Sequence, residues 1–142
     1  MKNYSKNGII KKDLYIIKAG FDYDENFETQ FRVKFINLTD EVIESVQIGD
    51  IEIETRYPYT NKYFKEHVFN VSGCIIMPGE IKFVTFSPNK ETTEERMMQY
   101  QRGVGAKIYN LDYIKANGEH VNANRNISTN LKWTTKKGIG IR

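Results

Sequence analysis

Hydrophobic side chains fall on every second residue over much of this chain. The clearest example is residues 27–37, where one face would carry Phe27, Thr29, Phe31, Val33 and Phe35. Arg32 and Lys34 fall on the opposite face. A period of two residues is typical of a β-strand that buries one side and exposes the other. Asn37, Leu38, Thr39 and Asp40 follow as turn formers.

The same alternation continues through the next segments. Val42, Val46 and Ile48 alternate with polar or outward positions, and Ile51 and Ile53 resume the pattern after Gly49. This pattern predicts one long strand with a bend or bulge at Gly49, or two short strands. A further extended stretch is predicted over residues 64–76, with a break near residues 72–73.

Two turns punctuate the second half of the chain. Residues 77–80, Met-Pro-Gly-Glu, predict a tight turn, followed by a buried strand over residues 81–86. Asn117-Gly118 predicts a hairpin with a type I′ turn between strands at 106–114 and 119–122. A last strand, anchored by Trp133, is predicted within residues 127–135.

One short helix is expected at about residues 92–102. Thr92 and Glu95 form a capping box, and Gly103 is placed to end the helix. With seven or eight short strands separated by turns, the chain is predicted to be all-β, a two-sheet immunoglobulin-like β-sandwich with a basic C-terminal tail. We divide it into a basic arm and first strand (1–18), the sandwich (19–122) and a basic extension (123–142).

Three motifs carry a resemblance to a known family. They are Phe31-Arg-Val-Lys-Phe-Ile-Asn-Leu-Thr-Asp40, Val42-Ile-Glu-Ser-Val46 and Met77-Pro-Gly-Glu-Ile-Lys-Phe83. Over residues 31–88 the chain resembles bacterial immunoglobulin-like sandwich domains of the FxLYD type. The resemblance implies the fold. It implies no activity, since such domains share no catalytic residues and fold does not fix function.

The composition narrows the expected cellular location and source of the protein. A single cysteine, Cys74, excludes an internal disulfide, and no segment has the apolar core of a signal peptide or a membrane span. We therefore expect a cytoplasmic protein without membrane contact. Abundant Lys, Asn and Ile indicate a low-GC bacterium or one of its phages.

Charge is unevenly distributed. Residues 1–18 carry five lysines and one acid, residues 122–142 carry five basic residues and no acid, and the rest carries 11 basic and 17 acidic residues. Four residues suggest weak binding of single-stranded nucleic acid: Lys132, Trp133, Lys136 and Lys137. The acidic body would repel phosphates, so nucleic acid is the less favoured partner.

Residues that could support catalysis are sparse. His67, Cys74 and His120 lie far apart in sequence, without a catalytic or zinc-binding spacing. Cys74 has apolar neighbours and is expected in the core, with a raised pKa. The acidic segment 22–28 is read as a solvated turn, with calcium as the alternative, and Glu44, Glu52 and Glu54 as exposed strand charges. We predict no enzyme, no metal and no cofactor.

The predicted function is that of a non-enzymatic protein-interaction module, encoded by a phage or another mobile element. Its proposed contact residues are aromatic: Tyr57, Tyr59, Tyr63 and Phe64. The alternative for these residues is that they close one end of the sandwich. Alternative functions are a phage inhibitor of a host defence protein, a virion or tail accessory protein that forms a homo-oligomer, and the nucleic-acid binder described above.

Overall fold

The fold is all-β in the part of the chain that the structure describes. The computed structural model describes residues 12–23, 29–56, 61–70, 74–88, 103–127 and 131–133. No helix occurs in these ranges. Residues 92–102, where the sequence predicts a short helix, lie outside them, so that prediction gains no support.

Seven strands account for most of the described residues. In chain order they are β1 (Leu14–Tyr23), β2 (Thr29–Asn37), β3 (Ile43–Arg56), β4 (Asn61–Asn70), β5 (Ile81–Pro88), β6 (Gly103–Lys115) and β7 (His120–Ile127). All pairings between them are antiparallel. β1 crosses the predicted boundary at residue 18, and β7 crosses the one at residue 122.

The strands are hydrogen-bonded in the order β1-β2-β5-β4-β3-β6-β7. The link between β5 and β4 is narrow, since it consists of the pairs Phe69–Pro88 and Asn70–Ser87. It therefore joins two larger units, a first sheet of β1, β2 and β5 and a second sheet of β4, β3, β6 and β7. Residues 131–133 extend the first sheet through a parallel bridge between Phe21 and Lys132.

The two sheets bury their inner faces in one core. From the first sheet the core takes Phe21, Phe31, Val33, Phe35, Val84 and Phe86, and from the second Val46, Ile48, Ile51, Ile53, Ile108 and Leu111. These side chains follow the alternation along the strands, so burial of one face of each sheet explains the pattern. The arrangement is consistent with the predicted β-sandwich.

β3 is one long strand rather than two short ones. Ile48 and Ile51 both face the core although they are three residues apart, so the inward side of the strand changes between them. The bend predicted at Gly49 is therefore present. A register irregularity between Ile43 and Ser45 accompanies the burial of Ile43, where the sequence pattern favoured Val42.

Two of the motifs behind the family resemblance contact each other. The amide of Asn37 donates to the carbonyl of Glu80 at 3.0 Å, and the amide of Gly79 donates to the carbonyl of Asn37 at 2.7 Å. Gly79 has a φ of 80°, and the Glu80 amide bonds the Met77 carbonyl at 3.0 Å. This confirms the tight turn over residues 77–80 and explains its glycine.

A buried amide holds the neighbouring turn together. The Asn37 side chain donates to the carbonyls of Glu41 and Ile76, both at 3.0 Å, and accepts the amide of Thr39 at 2.9 Å. Asn37 and Thr39 are buried polar residues. Asn37 is a structural residue, because its side chain pairs the buried Thr39 amide and joins two separate segments through the carbonyls of Glu41 and Ile76.

The hairpin predicted between β6 and β7 is present, with a different turn. Gly118 has a φ of 92°, whereas Asn110 is the non-glycine residue with positive φ among those described, so Asn117 lacks the positive φ of a type I′ turn. The Gly118 amide bonds the Lys115 carbonyl, and the Lys115 amide bonds the Glu119 carbonyl. This is a three-residue loop that ends in a left-handed glycine.

Candidate functional site

β5 is only half-buried, which corrects the prediction of a buried strand over residues 81–86. Val84 and Phe86 face the core, while Ile81 and Phe83 are 50% and 60% exposed on the outer side. Ile75 and Met77, just before this strand, are 54% and 52% exposed. We call these four side chains the apolar strip.

Ile81 and Phe83 of the strip lie beside basic residues on the outer face of the first sheet, whereas Ile75 and Met77 flank Ile76, which pairs with Ile43 of β3. In the strand register Phe83 pairs with Lys34, and Lys34 pairs with Lys18. The three residues therefore form a row across β5, β2 and β1, with their side chains on the side away from the core. The Lys34 ammonium lies 5.4 Å from the centre of the Phe83 ring, a cation–π distance.

Trp133 completes this surface from a distant part of the sequence. Its ring meets the Phe83 ring edge to face, with 5.9 Å between centres, and the Lys18 ammonium lies 4.6 Å from its centre. Gly20 makes this approach feasible, since a Cβ there would lie 2.8 Å from the Leu131 carbonyl oxygen. Backbone bonds from Phe21 to residues 131 and 133 hold the segment in place.

Charges on this face are partly balanced. Asp22 lies 3.7 Å from the Arg32 guanidinium, which also donates to Gln30 at 3.3 Å. The buried Nε of Arg32 has no hydrogen-bond partner among the described residues. Lys18 and Lys34 have no carboxylate within ion-pair distance in the same part of the chain. The face is therefore cationic.

The second sheet presents a different outer surface. Tyr109 donates to Glu52 at 3.0 Å, and this hydrogen bond raises the pKa of Tyr109. His120, exposed on β7, pairs with Asp112. Both contacts join partly exposed side chains. Glu44 is exposed and Glu54 half-buried on β3, as expected for charges on strand surfaces.

A polar cluster ties the start of β1 to the second sheet. Tyr113 donates to Asp13, and Arg125 reaches the same carboxylate at 2.8 Å and the Leu14 carbonyl at 3.3 Å. Burial raises the pKa of Tyr113 well above its usual value, and the bond to Asp13 raises it further. Since the three groups satisfy one another across the core, the cluster is a structural link between the layers.

The residues considered for catalysis do not converge where the structure describes them. Cys74 is buried in the core, and burial raises the pKa of its thiol as predicted. His120 is exposed on β7, the edge strand of the second sheet, and His67 lies on β4. Asp22 pairs with Arg32, while residues 24–28 of the acidic segment lie outside the described ranges.

The described residues contain neither a metal-binding cluster nor a membrane-spanning helix. No group of three or more His, Cys, Asp or Glu side chains there is arranged to hold a metal ion. The same ranges contain no helix with the length and apolar character needed to cross a bilayer.

The predicted contact residues are only partly described. Tyr57 and Tyr59 lie outside the described ranges, and Tyr63 and Phe64 lie on β4, where the backbone alone is described. Lys132 is exposed and Trp133 is 8% exposed, whereas Lys136 and Lys137 fall outside. Sequence analysis did not identify Phe83 or its lysine neighbours. The alternation in β5 could have indicated Phe83, since it places that residue on the side opposite Val84 and Phe86.

Comparison with known proteins gives little further information. No family model and no curated protein match the chain. Among solved structures, the chain is similar to one described as the X-ray structure of Northeast Structural Genomics Consortium target SoR45. That likeness has a TM-score of 0.38 and 14% sequence identity, and covers 85% of this chain and 90% of the other. At this level it supports no conclusion about function.

Proposed function

We propose that this chain is a non-enzymatic protein-binding domain and that its contact surface is the outer face of the first sheet around Phe83. The observation that carries the proposal is the apolar strip. Single exposed apolar residues are ordinary on protein surfaces, but Ile81 and Phe83 are exposed on the same face of β5, and Ile75 and Met77 add two more exposed apolar side chains just before that strand. An exposed aromatic ring supported by a rigid strand is a typical contact residue.

The strand order supports an immunoglobulin-like form of the sandwich. In the seven-stranded form of such domains the first, second, fourth and fifth strands share one sheet, and the third, sixth and seventh share the other. The order found here keeps both groupings except for β4, which pairs mainly with β3 and only at two positions with β5. Many binding domains use this architecture, although the fold alone assigns no partner.

The other predictions from sequence stay proposals. A cytoplasmic location and an origin in a phage or another mobile element rest on composition. A phage inhibitor of a host defence protein is a specific form of the binding proposal, and a virion or tail accessory protein would use the same face for self-association. Nucleic-acid binding through the basic tail is less favoured, because Trp133 packs its ring against Phe83 and has little exposed surface for stacking.

The test compares two variants that each remove an exposed apolar side chain. Phe83→Ser lies in the apolar strip, and Ile114→Ser lies on the second sheet. Partners are captured from a lysate of the source cells and quantified, and self-association is followed by sedimentation. We expect a partner, or a dimer, that Phe83→Ser loses and Ile114→Ser keeps. Equal capture by the wild type and Phe83→Ser would contradict the proposed surface.

A further inference from the structure

The lysine pair beside the apolar strip indicates what kind of partner this face accepts. Lys18 and Lys34 lie directly opposite each other on adjacent strands. Like charges at directly opposed positions repel and destabilise a sheet. An acid at either position would remove the repulsion. The described residues supply no carboxylate to either lysine, while Asp22 is matched by Arg32.

The aromatic rings hold these two charges at the surface. Each ammonium lies near a ring, Lys18 at Trp133 and Lys34 at Phe83. A cation–π contact stabilises the cation without neutralising it, so the positive charge stays available to an anion. The face therefore presents two fixed cations next to an exposed apolar surface.

We propose that this face binds an acidic protein segment, with carboxylates placed at Lys18 and Lys34 and an apolar side chain placed on Phe83 and Ile81. This deepens the proposed function and rests on it. Charge complementarity selects the acidic residues, and the apolar strip selects the neighbouring side chain. An extended segment can lie across a sheet face that carries cations on β1 and β2 and apolar side chains on the neighbouring β5.

A protein segment fits this face better than a nucleic acid. Ile81 and Met77 are aliphatic and offer no ring for base stacking. Trp133 is 8% exposed, and Phe83 is a single exposed ring with the Lys34 ammonium over it, so the surface offers no row of aromatic rings for successive bases. The cations are also few for a phosphate backbone, whose binding grows with the number of neutralised charges.

The experiment is a selection from a random peptide library displayed on phage, with the intact chain as the target. Selected peptides are synthesised, and their dissociation constants are measured against the wild type and three variants. Lys18→Gln/Lys34→Gln removes the cations, Phe83→Ser removes the ring, and Lys107→Gln removes an exposed lysine from the second sheet. Circular dichroism of each variant verifies its fold.

We expect peptides rich in Asp or Glu beside an apolar residue. Their affinity should fall about tenfold or more in Lys18→Gln/Lys34→Gln, equivalent to about 1.4 kcal/mol, and stay unchanged in Lys107→Gln. Peptides that need Phe83 but show no acidic bias would overturn the acidic partner and leave the binding surface intact. Peptides insensitive to Phe83→Ser would overturn both. Tighter, lysine-dependent binding of a single-stranded oligothymidylate than of any selected peptide would also overturn the acidic-segment proposal.

Discussion

Gly49 of β3 lies opposite Asn110 of β6, and both strands reverse their inward side at this pair. A Cβ on Gly49 would lie 3.1 Å from the Cβ of Asn110 and 3.3 Å from the Tyr109 carbonyl oxygen. Asn110 has a φ of 59°, and the pairing of β6 with β7 shifts between Ile108 and Leu111. The bend predicted at Gly49 of β3 is thus shared with β6, and the β-bulge lies on β6.

This relationship predicts the outcome of paired substitutions. Gly49→Ala should lower the free energy of unfolding by about 1–3 kcal/mol, because the added methyl group crowds Asn110. Asn110→Gly should change it by less than about 1 kcal/mol, since glycine readily adopts positive φ. Combined with Gly49→Ala, it should restore part of the loss. Urea unfolding measures all three variants, and strictly additive effects would show that the two residues do not interact.

Removal of the buried amide of Asn37 should cost far more than removal of an exposed one. Asn37→Ala leaves the buried Thr39 amide without its partner and removes one of the two donors to the Ile76 carbonyl, which keeps the Ile43 amide. We expect a loss of about 2–3 kcal/mol in unfolding free energy. The matched control is Asn122→Ala on the exposed side of β7, where a change within about 0.5 kcal/mol is expected. Equal effects of the two would refute the role given to Asn37.

Gly20→Ala should displace the segment that carries Trp133. The new Cβ would meet the backbone of residues 131 and 133, which lack the freedom of a side chain to move aside. Trp133 is the single tryptophan of the chain, so its emission reports this segment directly. We expect a red shift and stronger acrylamide quenching.

The control for that substitution is Lys34→Ala on β2, because the Lys34 ammonium lies over the Phe83 ring and not over Trp133. It removes a side chain from the same face and adds no volume near the segment. Its emission should shift less than that of Gly20→Ala. Unchanged quenching in Gly20→Ala would mean that residues 131–133 tolerate the added methyl group.

Stability should depend on the ionisation of Tyr113 at alkaline pH. Burial and the bond to Asp13 raise its pKa in the folded state, whereas an unfolded tyrosine ionises near pH 10. Above about pH 10 the unfolded chain releases a proton that the folded chain retains, so stability falls as the pH rises. The contribution is complete below that pH and is lost on approach to the raised pKa.

Tyr113→Phe isolates this effect from the other groups that titrate in the same range. The variant should be less stable at neutral pH, because it lacks the bond to Asp13, but its stability should fall less steeply above about pH 10. Denaturant unfolding at a series of pH values gives both slopes. Parallel slopes for the two proteins would argue against a raised pKa at Tyr113.

Sequence analysis predicted the strands best where one face is buried and the other is polar. In β2 the alternation of Phe31, Val33 and Phe35 with charged residues has a single interpretation, and the structure agrees. In β5 both faces are apolar, so the sequence pattern does not distinguish a buried strand from one that exposes Ile81 and Phe83. An apolar residue at a contact surface and one in a core have the same pattern.

The candidate site was not predictable from local patterns for a second reason. Lys18, Lys34 and Phe83 come from three strands, and they meet because the strand order places β5 beside β2. Trp133 reaches the same surface by packing over Gly20, although these two residues are more than a hundred positions apart in sequence. Periodicity assigns residues to faces, whereas neighbours on a face depend on which strands pair.

Burial of Leu131 beside β1 has a consequence for the timing of folding during synthesis. The core receives this side chain from a segment that pairs with one of the first strands to be made. Until residue 131 has emerged from the ribosome, the backbone of Phe21 therefore lacks these hydrogen bonds and the core lacks the Leu131 side chain. A nascent chain stalled before that point would expose an unpaired strand edge to chaperones and to neighbouring chains.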